Sequence, residues 1–245
     1  MRPRRTLAIL LFLFAGISGW PQTTAAVQSG QMMTFRELLT MRNIKLTEPS
    51  LVAALQNPDS QVRAWSALVL AEDKDTDAVP AISKALQSEN VPEAKAGIAL
   101  ALGQLGDPQG IGTLKGMCSD SAIPPYLRVY ATMYLLALND GGCLNTIFDV
   151  LQSNADSGAR VLAFSQLSRF HEVSQTDSQR IVTATLKALA DDAPAMRIAA
   201  ARALSGFSPA IALPALQNAI TAEQVEAVKI QMQSSLQHLR EQEAH

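Results

Sequence analysis

The run Val62-Arg63-Ala64-Trp65-Ser66-Ala67-Leu68-Val69-Leu70 has a basic residue near one end and a leucine seven residues later. The chain repeats that arrangement five more times. Lys95, Arg128, Arg160, Arg197 and Lys229 stand where Arg63 stands, and Leu102, Leu135, Leu167, Leu204 and Leu236 stand where Leu70 stands. The basic positions are 32, 33, 32, 37 and 32 residues apart, with one insertion in the fourth unit accounting for the 37. A period of this size marks a stack of two-helix units.

Each unit reads as an outer helix, a tight turn and an inner helix. In the first, Leu51 and Leu55 set the outer helix, Asn57-Pro58-Asp59-Ser60 turns the chain, and Gln61 to Glu72 forms the inner helix. Pro58 ends the first helix, and Asp59 or Ser60 caps the second. The remaining inner helices are expected over Glu93 to Leu105, Tyr126 to Leu138, Ser157 to Phe170, Ala195 to Phe207 and Glu223 to Glu241.

The positions one before, three after and seven after the basic residue share one helical stripe and are mostly apolar. The position one after it is apolar in all six units: Ala64, Ala96, Val129, Val161, Ile198 and Ile230. A helix that is apolar on several sides has neighbours on several sides, so stability must come from stacking. The last unit turns polar at Gln231, Gln233, Ser234, Ser235, Gln237 and Arg240, as a terminal unit facing water should.

Composition agrees with close-packed helices. Hydrophobic residues make up 48% of the chain, charged residues 17% and aromatics 5%. Alanine and leucine, both good helix formers, dominate the apolar set.

Met1 to Arg5 is basic, Thr6 to Trp20 is almost wholly apolar, and Thr23-Thr24-Ala25-Ala26 is small. That order describes a secretory signal peptide over 1–26, and the apolar run is shorter than a spanning helix needs. An uncleaved anchor is the alternative. No cysteine follows the apolar run to take a lipid. The expected location is therefore periplasmic or secreted. Setting aside Arg2, Arg4 and Arg5, the 20 basic residues become 17 against 22 acidic ones. A weakly acidic surface speaks against nucleic acid and against anionic lipid as partners.

Residues 27–47 read as a linker and a short capping helix. Thr34-Phe35-Arg36-Glu37 forms a capping box, and the helix should cover the open end of the array, which occupies 48–245.

The repeat pattern resembles the HEAT-repeat superfamily, and within it the bacterial phycobilin-lyase-type HEAT-like repeats. The likeness rests on Val62-Arg63-Ala64, Ala67 and Leu70, and on Ala94-Lys95-Ala96 through Leu102-Gly103 to Leu105-Gly106-Asp107-Pro108. It covers roughly Glu48 to Glu241. It implies an all-α, right-handed α-solenoid of about six two-helix repeats. It also implies a binding scaffold, since repeats of this type share no catalytic residue that maps onto this chain.

The polar features divide between two roles. The basic column Arg63, Lys95, Arg128, Arg160, Arg197 and Lys229 serves either as a ladder for acidic ligands or, as favoured here, as structural pairs with nearby acids such as Asp59 and Asp156. Trp65, Tyr130 and Tyr134, two or six positions after a basic residue, either anchor a partner in the groove or pack against the next unit. Arg169 is a further candidate for the groove. Cys118 and Cys143 are expected as free buried thiols. Parallel outer helices would hold them about seven residues apart along the axis, beyond disulfide reach. His171, His238 and His245 are scattered and have no metal spacing. No phosphate loop or nucleophile elbow is present.

No enzyme, cofactor or metal is expected. The favoured function is a non-enzymatic scaffold that binds a protein or peptide along the concave inner-helix surface. Alternatives are a chromophore-lyase-like enzyme or chaperone, and a structural accessory of an envelope complex.

Overall fold

The computed structural model describes residues 33–153, 155, 157–167 and 174–243. The expected signal peptide, linker residues 27–32, and Asp156, Arg169, Phe170, His171 and His245 lie outside them. The described residues form α-helices and one 3-10 turn, with no strand. The chain divides into two compact units, 1–114 and 115–245.

In the first unit, α1 (Phe35–Met41) precedes two repeats: α2 (Glu48–Ala54) with α3 (Ser60–Glu72), and α4 (Val79–Ser88) with α5 (Pro92–Gln104). The inner helices α3 and α5 lie side by side. Each is backed by its own outer helix, and α1 covers the free side of α3. Gly97 explains how closely α3 and α5 approach: a Cβ there would meet the Ala64 Cβ at 3.2 Å. The position one after the basic residue in one repeat therefore meets the position two after it in the next.

Helix α6 (Pro108–Ser119) crosses the division between the units and leads to α7 (Pro125–Ala137). The second unit continues with α8 (Leu144–Gln152), α9 (Ser157–Leu167), α10 (Gln175–Ala188), α11 (Pro194–Ala203), the 3-10 turn Leu204–Gly206, α12 (Pro209–Ala222) and α13 (Glu226–Glu243). Inner helices α7, α9, α11 and α13 pack in succession, with α8, α10 and α12 as their outer partners. The chain is an all-α repeat solenoid.

Local chemistry sets the helix ends. Thr34 and Glu37 make the capping box of α1, and the Asp59 side chain accepts the Gln61 N–H at the start of α3. Proline opens α2, α4, α5, α7, α11 and α12, where its missing N–H costs nothing.

Three inner helices end alike. Lys74, Gly106 and Asn139 have positive φ, and the following aspartates, Asp75, Asp107 and Asp140, donate their N–H to the carbonyls of Leu70, Leu102 and Leu135. This is a Schellman-type stop. The recurring leucine thus supplies both a core side chain and the carbonyl that ends its helix. Leu70, Leu102, Leu135, Leu167 and Leu204 are buried, and Leu236 in the terminal repeat is half-buried.

The cysteines depart from expectation. Cys118 and Cys143 form a disulfide with a Cα–Cα distance of 6.4 Å, inside the usual span. Free thiols were expected because parallel outer helices would hold Cys118 and Cys143 about seven residues apart along the axis. Instead the last turn of α6 meets the first turn of α8. The Cys118 carbonyl accepts from Thr146 Oγ1 at 3.1 Å and from Arg128 Nε at 3.1 Å. The Thr146 bond holds the end of α6 against the entry to α8, where the sulfurs meet, and the Arg128 bond ties the same carbonyl to α7.

Candidate functional site

The basic column is engaged within the fold. Arg63 Nε and Nη2 donate to the two carboxylate oxygens of Glu89 at 2.7 and 2.8 Å, and Nη1 donates to the carbonyls of Asn57 and Pro58. Arg197 repeats the arrangement: Nε and Nη2 on Glu223 at 2.6 and 2.9 Å, and Nη1 on the carbonyls of Asp191 and Asp192. Each guanidinium therefore clamps the turn of its own repeat and an acid in the turn of the next. The acids are deeply buried, with side chains 1% exposed at Glu89 and 3% at Glu223. Each also accepts a backbone N–H two residues on, from Val91 or Val225.

These partners differ from the expected ones. Asp59, four residues before Arg63, caps α3 and pairs with Arg42. The acid that holds Arg63 stands 26 residues later. The partner position lies six residues before the next basic residue: Glu89, Ala122, Asn154, Asp191 and Glu223 in turn. Arg160 accordingly pairs with Asp191. For Lys95 the corresponding residue is Ala122. Forked, bidentate recognition needs arginine, and Lys95 stands at a rung where no acid is offered. Arg128 turns to the Cys118 carbonyl, with exposed Asp149 at 3.8 Å.

The forks leave an electrostatic signature. Arg197 holds the Glu223 carboxyl below its ordinary value. At Glu89, burial pushes the value up, but the Arg63 bonds and the Val91 N–H more than offset this and leave it lowered. Each fork therefore contributes fully above the ordinary glutamate value of about 4.3 and is lost as pH falls through the lower folded value. Urea midpoints measured from pH 7 to pH 3 should fall steeply for the wild type and less steeply for a Glu89→Gln/Glu223→Gln variant. Equal slopes would remove these carboxylates as the cause.

The aromatic candidates are placed differently from a groove reading. Trp65 is 4% exposed beneath α1, with the Arg42 guanidinium 4.5 Å from its ring centroid. Arg42 also reaches Asp59 and Gln61, which fastens the cap to the first turn. Tyr134 is 3% exposed, and burial raises the pKa of its hydroxyl. Neither ring offers itself to a partner. The helical wheel pointed positions two and six after the basic residue toward the groove, whereas Trp65 and Gly97 show that this side faces the preceding helix. Tyr130 is half-buried and stacks edge to face on Tyr126, with centroids 6.2 Å apart.

A cleft not anticipated from the sequence opens in the second unit, with a volume of about 840 Å³. Its walls are the outer helices α8 and α10. Phe164 of α9 and Met196 of α11 form the floor, and the Arg160–Asp191 pair closes part of it. Phe148, Phe164 and Met196 are as buried as Trp65 and Tyr134, so the apolar surface that reaches the cleft comes from half-buried Leu151 and Ala184. Arg180 lies over the Phe148 ring at 3.9 Å and donates to Asp177 and Asn145. Lys187, exposed on the same side of α10, pairs with no acid among the described residues. Arg160 Nε is buried without an acceptor, because Asp191 engages Nη2 and spends its other oxygen on the Ala193 N–H. The sequence signal for this site was a pair of cations, Arg180 and Lys187, seven residues apart on one outer helix.

Among the described residues, no group of His, Cys, Asp or Glu could hold a metal ion, and no helix is long and apolar enough to cross a membrane. The family model for HEAT repeats matches residues 48–124. Comparison with curated proteins gives no match. Among solved structures, an engineered protein is 20% identical with a TM-score of 0.44, covering 78% of this chain and 95% of its own. Computationally designed armadillo repeat proteins for modular peptide recognition are 16% identical with a TM-score of 0.44, covering 78% and 99%. The complex of CpcE and CpcF of phycocyanin lyase from Nostoc sp. PCC7120 is 15% identical with a TM-score of 0.36, covering 91% and 99%. The stretch that the HEAT-repeat model matches, residues 48–124, holds the Arg63 and Lys95 positions of the register.

Proposed function

We propose that the protein is an exported, non-enzymatic scaffold that binds a protein or peptide partner. The observation that carries this reading is the contrast between the basic column and the α8–α10 cleft. The arginines Arg63 and Arg197 of the column are held inside the fold, whereas the cleft combines half-buried Leu151 and Ala184 with exposed Lys187, which pairs with no acid among the described residues. Partner sites combine an apolar anchor pocket with a polar rim in this way. The disulfide supports export, since such bonds persist in oxidising compartments. The basic, apolar and small zones of residues 1–26 support it independently.

Photo-crosslinking residues placed at Thr183 on α10 and at Tyr130 on α7, expressed in the native host, test the reading. One reproducible protein adduct at either position, from protein recovered outside the cytoplasm, is the expected result. Absence of any adduct at both positions, or retention of the protein in the cytoplasm, would contradict it.

A further inference from the structure

We infer that the α8–α10 cleft binds an extended acidic peptide segment carrying an apolar side chain between its carboxylates. This rests on the scaffold reading and names the partner chemistry for it.

The cleft face of α10 runs from Thr176 to Lys187. At 1.5 Å per residue that stripe is about 17 Å long. An extended chain rises about 3.3 Å per residue, so the stripe matches about five residues of strand-like peptide. A compact small ligand would leave much of its length uncovered.

The chemistry along the stripe is ordered. Arg180 and Lys187 put two cations about 10 Å apart. Thr176, Gln179 and Thr183 lie on the same face and offer hydroxyl and amide groups of the kind that bond a peptide backbone. Half-buried Leu151 and Ala184 supply the apolar surface of the cleft, over the buried rings of Phe148 and Phe164.

The charge is unbalanced toward cations. Arg160 is matched by Asp191, and Arg180 by Asp177, which leaves Lys187 unmatched. Arg160 is also held less completely than Arg63 or Arg197. Aspartate is one methylene shorter than glutamate, and at this rung it leaves Nε–H orphaned beside the cleft. An orphaned donor on a buried guanidinium is costly, so an incoming carboxylate that draws Arg160 toward it relieves a cost that the other rungs do not carry.

The test uses the disulfide-bonded mature protein and three fluorescein-labelled heptapeptides. In the first, two glutamates flank a central leucine within a serine and glycine background. Glutamine replaces glutamate in the second, and lysine in the third. Fluorescence anisotropy should show saturable binding of the glutamate peptide, weakened at least tenfold by 0.5 M salt and at least tenfold by Lys187→Glu. The other two peptides should show no saturation. Lys187 is exposed and unpaired, so the thermal melt of the variant should match that of the wild type. Equal binding of all three peptides, no binding of any, or unchanged affinity in Lys187→Glu would overturn the assignment. A reproducible crosslink at Tyr130 alongside such a failure would sink the cleft while leaving the scaffold reading intact. Absence of crosslinks at both positions would sink both.

Discussion

Arg197→Ala is expected to destabilise the second unit by about 3 kcal/mol, at the lower end of the range for removing one partner of a buried ion pair. The reason lies in the asymmetry of the pair. Arg197 keeps 14% of its side chain in water, but Glu223 keeps only 3%. Truncating the arginine removes the cation that acts on a carboxylate with little access to water. It also strips the carbonyls of Asp191 and Asp192 of their donor. Arg197→Lys should recover less than half of the loss, because an ammonium cannot span both oxygens of Glu223. Urea denaturation followed by circular dichroism measures both variants. A loss below about 1 kcal/mol, the size of an exposed pair, would show that the fork is only a surface contact.

Reduction of the Cys118–Cys143 bridge is expected to cost about 3 kcal/mol, from the entropy regained by the unfolded chain when a loop of this length opens. The sequence separation is 25 residues. The bridge also ties α6 to α8 at the junction where the acid position of the column is Asn154 rather than Asp or Glu. The urea midpoint should fall on adding reductant and should be insensitive to reductant in a Cys118→Ala/Cys143→Ala variant. Mass spectrometry of the unreduced, denatured protein after alkylation should show no added groups. Two added groups would contradict the bridge directly.

The repeat architecture was legible because stacking repeats its requirements. A leucine seven positions after each basic residue must be buried wherever a helix has neighbours, so its period survives in the sequence. Helix ends were legible for a similar reason: the Thr34–Glu37 box, the Asp59 cap and Gly106 are local devices, complete within a few residues.

What the chain does not encode locally was harder to read. The partner of Arg63 lies 26 residues away in another turn, and short-range helical pairing suggested Asp59 instead. The rule becomes visible only when the column of basic residues is set beside the column six positions earlier. The orientation of Trp65 and Tyr134 depended on the direction in which successive inner helices stack, which a single helical wheel leaves open. The disulfide depended on an end-to-start meeting of α6 and α8, which departs from the parallel register assumed for neighbouring repeats. The cleft is lined from α8, α9, α10 and α11, so no single repeat displays it.

The central claim is that the basic column joins one repeat to the next. A pair of double-mutant cycles in urea tests it most directly, one built on Arg63→Met with Glu89→Gln and the other on Arg63→Met with Asp59→Asn. The structure predicts a coupling of about 2 kcal/mol or more between Arg63 and Glu89, and about 0.5 kcal/mol or less between Arg63 and Asp59. The reverse order, or no coupling in either cycle, would show that the column does not tie the repeats together.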